Sequence, residues 1–555
     1  MSLHATPAYL SGKPSPYCAD KGRKVGGTGM GTGAMIVATC QTHGDESPRR
    51  AAAVSACHPA LIPTAGPRRD TPSITFSMCR AFSTNGLSPI VDIVAGVKIR
   101  ILAVLASLLV VLSPATPARA VDDPLLDQLK AIPGLTVVSE TAGATYRFFV
   151  LTYRQPADHR RPGDGTFEQR LTLLHRDTAA PTVLFTSGYG LAASPRPTQT
   201  EPTALLNANQ LSVEHRFFTP SRPAPADWSD LNIWQEATDE HRIVSAFKKV
   251  YSAKWIQTGG SKGGMTSVYH RRFYPRDVDG VVAYVAPNDV INPEDRAYDR
   301  FFDTVATPEC RAALDNVQIQ ALKRRATLVP RLEADAAEQG WTFSRTVGTA
   351  DRSFELTVLD SVWAFWQYST VADCASVPPA TATDEELYSW IDTVAGWSFY
   401  TDQALEYYWP YYYQAASQLG WPSLRFEHLR GLRNHPGIYT ANSQLPKELR
   451  RLHNPIPMID IDLWVRTASE RMLFIYGQND PWGAERFTPS KRDSALYVAP
   501  GANHGANIAR LNPDDAAAAT ATLRRWAGVP TTAVTPFRAD AIPLDDGLID
   551  RHEIR

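Results

Sequence analysis

Three side chains, widely separated in this sequence, are of the types that together make a hydroxyl attack a carbonyl. Ser261 stands in Thr258-Gly259-Gly260-Ser261-Lys262-Gly263-Gly264, Asp480 in Tyr476-Gly477-Gln478-Asn479-Asp480-Pro481-Trp482, and His504 in Pro500-Gly501-Ala502-Asn503-His504-Gly505. A serine hydroxyl is a weak nucleophile near neutral pH and needs a base beside it, itself held by a third group. An imidazole can take the hydroxyl proton and pass it on, while a carboxylate holds the ring in one tautomer and stabilises its cation. The expected chemistry is therefore acyl transfer, with Ser261 attacking, His504 moving the proton and Asp480 orienting. The competing readings are an N-cap serine in a glycine turn, a turn aspartate before proline, and a loop histidine. A phosphate-cradling loop is excluded, because Gly263 is followed by Gly264 and not by Lys.

Each of these residues follows a segment that reads as a strand. Ser261 lies between the apolar run Trp255 to Thr258 and the amphipathic stretch Met265 to Tyr274, which predicts strand, sharp turn and helix. A nucleophile on so tight a turn needs glycine on both sides, where a Cβ would meet the neighbouring strand and helix. Asp480 follows the strand-like Met472 to Tyr476, and His504 follows Ser494 to Val498. Upstream, Tyr146 to Leu151 and Gln169 to Leu174 predict a hairpin, Thr182 to Thr186 and Val281 to Ala286 predict buried strands, and Leu211 to Val213 leads into Glu214 to Phe218. A mainly helical spacing runs from Ile233 to Val250. Strands alternating with helices argue for a parallel sheet whose ligand site lies beyond the carboxyl ends of the strands. The chain order Ser261, Asp480, His504 is that of α/β-hydrolase triads. We therefore expect an α/β protein with the α/β-hydrolase fold, a mostly parallel sheet with helices on both faces. Oxyanion donors are expected from the Lys262 amide and from Tyr189 in Ser187-Gly188-Tyr189-Gly190, although a simple glycine turn there is the alternative.

Between Ala286 and Met472 lie far more residues than a connection of about 2 to 6 requires. The 3-to-4 spacing of Ala, Leu, Glu and Gln in Ala312 to Gln339, Glu385 to Trp397 and Gln403 to Leu419 predicts a large, mainly helical cap. The expected organisation is 121–289 for the first part of the core, 290–466 for the cap and 467–555 for the second part, with a closing helix from Pro513 to Trp526. From Trp363 to Tyr413, 15 of 51 residues are Trp, Tyr or Phe, against 54 of 555 overall. They are expected to be a lid packing on proline rings, or the cap's own core. Asp402, Glu406 and Glu214 are candidates to meet a substrate ammonium, each with a structural role as the alternative.

The segment 97–120 carries Lys98 and Arg100, an apolar run from Ile101 to Leu112, and Ala118-Arg119-Ala120. These are the parts of a secretory signal with cleavage before Val121, and the run would span only about 18 Å as a helix, short for a bilayer core, with an uncleaved membrane anchor as the alternative. Residues 1–96 show no sustained apolar period and are expected to be disordered, or to precede a true start near Met78 or Val97. Residues 121–555 carry 44 Lys+Arg against 52 Asp+Glu, which leaves no electrostatic case for nucleic acid. In the same span the cysteines are Cys310 and Cys374, expected to form one disulfide in an exported protein, with two separate buried thiols as the alternative. Their number and spacing do not suit zinc.

The serine motif continues through Met265-Thr266, with Tyr269-His270-Arg271-Arg272-Phe273-Tyr274-Pro275 and Val285-Ala286-Pro287-Asn288-Asp289 beyond it. Together with Glu214-His215-Arg216-Phe217-Phe218 and the motifs around Asp480 and His504, this pattern resembles the secreted tripeptidyl aminopeptidase family of bacterial serine peptidases. The resemblance implies an exported exopeptidase releasing tripeptides, sometimes tetrapeptides, from free N-termini, often after proline. It implies peptide substrates. Neither a metal nor an organic cofactor is implied, and no stable membrane association or obligate protein partner is expected. Glu214-His215-Arg216 is also similar to the more distant prolyl carboxypeptidase group. Two other readings stay open: a carboxyl-ester hydrolase of the same fold, and a secreted binding protein that has lost the chemistry.

Overall fold

The computed structural model describes residues 123–143, 145–290 and 296–530. The expected extension 1–96, the signal 97–120 and the last part of 467–555 lie outside the described residues.

A nine-stranded sheet forms the centre. Its strands are β1 (Leu135–Ala142), β2 (Arg147–Pro156), β3 (Thr166–His175), β4 (Thr182–Thr186), β5 (Asn209–Val213), β6 (Trp255–Gly260), β7 (Gly280–Tyr284), β8 (Met472–Gly477) and β9 (Ala495–Ala499), in the order β1-β2-β3-β5-β4-β6-β7-β8-β9. The first three strands and the β3–β5 pair are antiparallel, and every pairing from β5 through β9 is parallel. The expected hairpin is β2–β3. The edge strand β1 shows no alternation, being exposed along most of its length, and so left no period-two signal in the sequence.

Strands β4 to β8 are buried at every residue because helices cover both faces. Their period of two splits the layers cleanly. After the short helices α1 (Pro124–Lys130) and α2 (Glu201–Leu206) come α3 (Ile233–Phe247) and α4 (Lys262–Phe273), which Val281 and Ala283 of β7 and Met472 and Phe474 of β8 face through Val244 and Val268. Val282, Tyr284, Leu473 and Ile475 face Leu523 and Trp526 of the closing helix Pro513–Ala527. Each fully buried Val, Leu or Ile contributes about 1.5–3 kcal/mol.

The chain between β7 and β8 is helical, with α5 (Arg296–Thr304), α6 (Pro308–Lys323), α7 (Arg325–Gln339), α8 (Ala350–Tyr368), α9 (Asp384–Ala395), α10 (Asp402–Gln414) and α11 (Ile456–Thr467). Thr383 and Glu386 form a reciprocal capping box at the start of α9. Cys310 of α6 is bonded to Cys374, with Cα atoms 5.5 Å apart. The aromatic run is largely this cap's own core: Trp363, Tyr388, Trp397, Tyr400, Tyr408 and Tyr412 are buried in one cluster. That cluster also takes in Tyr189, Phe218 and Trp482 from the sheet side, so the cap core and the wall over the strand ends are continuous. Met458, Ile461 and Val465 of α11, one apolar stripe, pack beneath the sheet.

Candidate active site

Ser261 sits between β6 and α4 with φ 52° and ψ −124°, a backbone conformation that a residue with a Cβ rarely adopts. The turn is held from three sides. The Ser261 N–H donates to the Tyr284 carbonyl at 2.9 Å, a Cβ on Gly259 would lie 2.4 Å from the carbonyl carbon of Gly263, and one on Gly263 would lie 2.3 Å from the Thr186 carbonyl oxygen. The glycines are there because β4, β6 and α4 approach more closely than any side chain allows.

Asp480 follows β8 and His504 follows β9. Oδ2 of Asp480 lies 2.8 Å from Nδ1 of His504, and Oδ1 accepts the Trp482 N–H at 3.0 Å. Both side chains are buried. Nε2 of His504 and Oγ of Ser261 are also buried, and neither has a hydrogen-bond partner among the described residues. The pair Asp480–His504 is thus formed, while the serine hydroxyl and the outer ring nitrogen are not hydrogen-bonded to each other. Such contacts commonly tighten only when substrate is bound.

The Lys262 amide is the first of α4, where no intrahelical acceptor exists for it. The loop carrying Tyr189 lies directly against it, since a Cβ on Gly188 would lie 2.4 Å from the Gly263 nitrogen. The Tyr189 N–H itself is donated to Oγ of Ser187 at 3.1 Å. As an oxyanion donor it would have to exchange that hydroxyl for the substrate oxygen.

Both oxygens of Glu214 are engaged within the protein. One oxygen accepts from the Leu191 N–H at 2.8 Å and from Arg170 Nε at 3.0 Å, and the other accepts from the Ser221 hydroxyl at 2.7 Å. With the His215 N–H donating to the Tyr189 carbonyl at 2.9 Å, the Glu-His-Arg segment pins the glycine loop. Asp402 is likewise engaged, accepting from Thr342 Oγ1 at 2.8 Å and from the amides of Arg345 and Thr346 at 3.2 and 2.9 Å. Glu406 is exposed and lies 3.7 Å from Arg345. Asp402 and Glu406 thus share Arg345, the first through its amide and the second through its guanidinium, while Glu214 is taken up by Arg170, Leu191 and Ser221.

Several groups escaped the sequence reading because their partners are remote in the chain. His215 bonds Glu236, which also accepts from Gln414 of α10 at 2.7 Å. Burial would raise the Glu236 carboxyl, but His215 and Lys262 beside it outweigh this and hold it down at about 2. Burial pulls the Lys262 ammonium down to about 8, against the pull of Glu236 and Glu240. Trp363 and Trp421 flank Trp482, with ring centroids 4.5 and 6.4 Å away, and their indole nitrogens are buried with no hydrogen-bond partner among the described residues.

A strained serine, a strand-end histidine paired to a strand-end aspartate and a helical cap on a mostly parallel sheet make an α/β-hydrolase architecture. The model of the PS-10 peptidase S37 family matches residues 116–554. The chain belongs to this peptidase family. It is 52% identical over 431 residues, 77% of this chain and 90% of the relative, to the prolyl tri/tetrapeptidyl aminopeptidase of Streptomyces mobaraensis. Among solved structures it is similar to proline iminopeptidase of Mycobacterium smegmatis, with 14% identity, TM-score 0.33, and 68% of this chain and 98% of that one covered. It is also similar to the peroxisomal α/β-hydrolase Lpx1 of Saccharomyces cerevisiae, with 12% identity, TM-score 0.28, and 72% and 93% covered. As a member of the S37 family the chain is a peptidase, and peptides are its substrates. Among the described residues no helix is long and apolar enough to cross a membrane, and no cluster of His, Cys, Asp and Glu could hold a metal.

Proposed function

We propose that this S37 peptidase is an exported serine aminopeptidase that releases tripeptides or tetrapeptides from free N-termini, favouring proline before the scissile bond. The observation that carries the reading is the buried His504–Asp480 pair at 2.8 Å, with the outer ring nitrogen and the Ser261 hydroxyl both without a partner among the described residues. Because a carboxylate only accepts, the shared hydrogen belongs to Nδ1, and Nε2 is left as a base.

Oγ of Ser261 attacks the carbonyl carbon while Nε2 takes its proton. The tetrahedral oxyanion is met by the Lys262 amide at the positive end of α4. Nε2 returns the proton to the leaving amine as the C–N bond breaks, which leaves the released segment as an acyl ester on Ser261. Water then attacks that ester, giving its proton to Nε2, and the ester oxygen recovers a proton as the peptide departs. The indole donors of Trp363 and Trp421 are suited to peptide carbonyls, and the surrounding rings to proline. The relative's printed name supports the tri/tetrapeptide length and the proline preference. A cross-linked Cys310–Cys374 pair suits an oxidising compartment.

The test compares a Pro-ended tripeptide arylamide, with its amine free or acetylated, against an aryl ester. Turnover restricted to the free-amine peptide is expected. Equal turnover of the acetylated form removes the aminopeptidase assignment, preference for the ester makes the protein an esterase, and failure of a fluorophosphonate to label Ser261 makes it a binding protein.

A further inference from the structure

Gln367 lies in the last turn of α8, inside the cap, and is wholly buried. Its polar groups are all committed. The main-chain carbonyl accepts the His504 N–H at 3.0 Å, Oε1 accepts the indole N–H of Trp482 at 3.1 Å, and Nε2 donates to the Tyr368 hydroxyl at 2.8 Å. Trp482 in turn gives its main-chain N–H to Asp480 and stacks edge-on against Trp363 of the same cap helix. The contact continues past the helix end. Nδ2 of Asn503 donates to the Ser369 carbonyl at 3.1 Å, and the Tyr368 ring stands perpendicular to the His504 ring with centroids 6.3 Å apart.

A helix end leaves its last carbonyls without intrahelical donors, and they carry the negative end of the helix dipole. In α8 the Phe365 carbonyl is capped locally by the Ser369 N–H at 2.7 Å, whereas that of Gln367 is met by the backbone of His504. Asp480 and His504 stand on different strand-end loops, yet both are referenced to this one cap residue. We propose that Gln367 is a positioning residue through which the seated cap sets the geometry of the Asp480–His504 pair. The proposal rests on the triad reading above. Seating the cap and aligning the imidazole are then one event, and the carbonyl end of α8 also favours the imidazolium that forms as the serine proton leaves.

The test uses the full chain with Gln367→Leu, Trp482→Phe and the double substitution. Each is assayed on the free-amine arylamide, with active sites titrated by fluorophosphonate so that misfolded protein is not counted. Both variants lose the Gln367–Trp482 hydrogen bond, and Gln367→Leu also loses the one to the Tyr368 hydroxyl, so kcat per titrated site is expected to fall by about tenfold, with KM within about twofold. The double variant is expected to lose no more than the worse single, because both substitutions remove the same link. Unchanged kcat per site with only a lowered melting temperature, or losses that multiply in the double variant, overturns the proposal. Should Gln367→Leu fail to fold, Trp482→Phe decides alone, by a fall in kcat at preserved KM or by its absence. If the unaltered protein is not labelled at Ser261, the triad reading has failed and this inference falls with it.

Discussion

Nδ1 of His504 meets Oδ2 of Asp480 at 2.8 Å in surroundings closed to solvent, and the carboxylate's other oxygen is already bound to the Trp482 amide. The acid is therefore held at both ends, and the imidazole has one tautomer available. Asp480→Asn would turn an amide N–H toward Nδ1, move the ring hydrogen to Nε2 and remove the base. We expect kcat to fall by about 10⁴-fold with the fold retained, measured by arylamide turnover alongside circular dichroism. Near-normal turnover would remove Asp480 from the relay.

Gly263 and Gly340 make a controlled comparison. A methyl on Gly263 would strike the Thr186 carbonyl at 2.3 Å, whereas Gly340 (φ +73°) has nothing within 4 Å. Gly263→Ala is expected to cost about 3 kcal/mol and most of the activity. Gly340→Ala is expected to cost about 1–2 kcal/mol from its left-handed backbone, with turnover unchanged. Urea titration and kinetics on both variants check this.

For Glu214 the structure separates two roles. If the carboxylate pins the glycine loop through Arg170, Leu191 and Ser221, Glu214→Gln destabilises the protein by about 3 kcal/mol. It leaves the turnover ratio of free-amine to acetylated substrate untouched. A selective loss on the free-amine substrate would return Glu214 to the substrate ammonium.

Glu240 introduces a pH dependence of stability. Burial, with Glu236 and Asp239 adding, pushes its carboxyl up to about 8 against hydrogen bonds from Thr186 and Gln257. Below about 4.5 both folded and unfolded chains hold the proton. Between there and about 8 the folded chain alone does, so the group's contribution to stability declines as pH rises. Glu240→Gln should flatten that slope, and denaturation midpoints at pH 5 and pH 8 that shift in parallel with the unaltered protein would contradict the assignment.

The Cys310–Cys374 bond closes a loop with a sequence separation of 64. The chain-entropy model gives about 4 kcal/mol for it. Reduction, or Cys310→Ser, is expected to lower the melting temperature, and a midpoint indifferent to reductant would show that the cap is held without it.

The strands and the elbow were legible because their causes are local. Val281 to Tyr284 is apolar without interruption, and the glycines around Ser261 mark a close approach whichever elements make it. The surroundings of the candidate substrate acids were not legible. Nothing near Glu214 in sequence announces Arg170 or Ser221, and nothing near Asp402 announces the amides of Arg345 and Thr346. Whether a carboxylate meets substrate or protein depends on which donors the fold brings to it.

From the sequence alone came the glycine turn around Ser261, the order of Ser261, Asp480 and His504, the helical insertion and the family, since periodicity, glycine placement and motif spacing are written along the chain. Tertiary structure alone decided that Asp480 and His504 meet, that Glu214 bonds the Leu191 amide, and that Gln367 of the cap reaches both strand-end loops. These are contacts between residues far apart in the chain. Their partners are chosen by how the buried layers close, which no local pattern records.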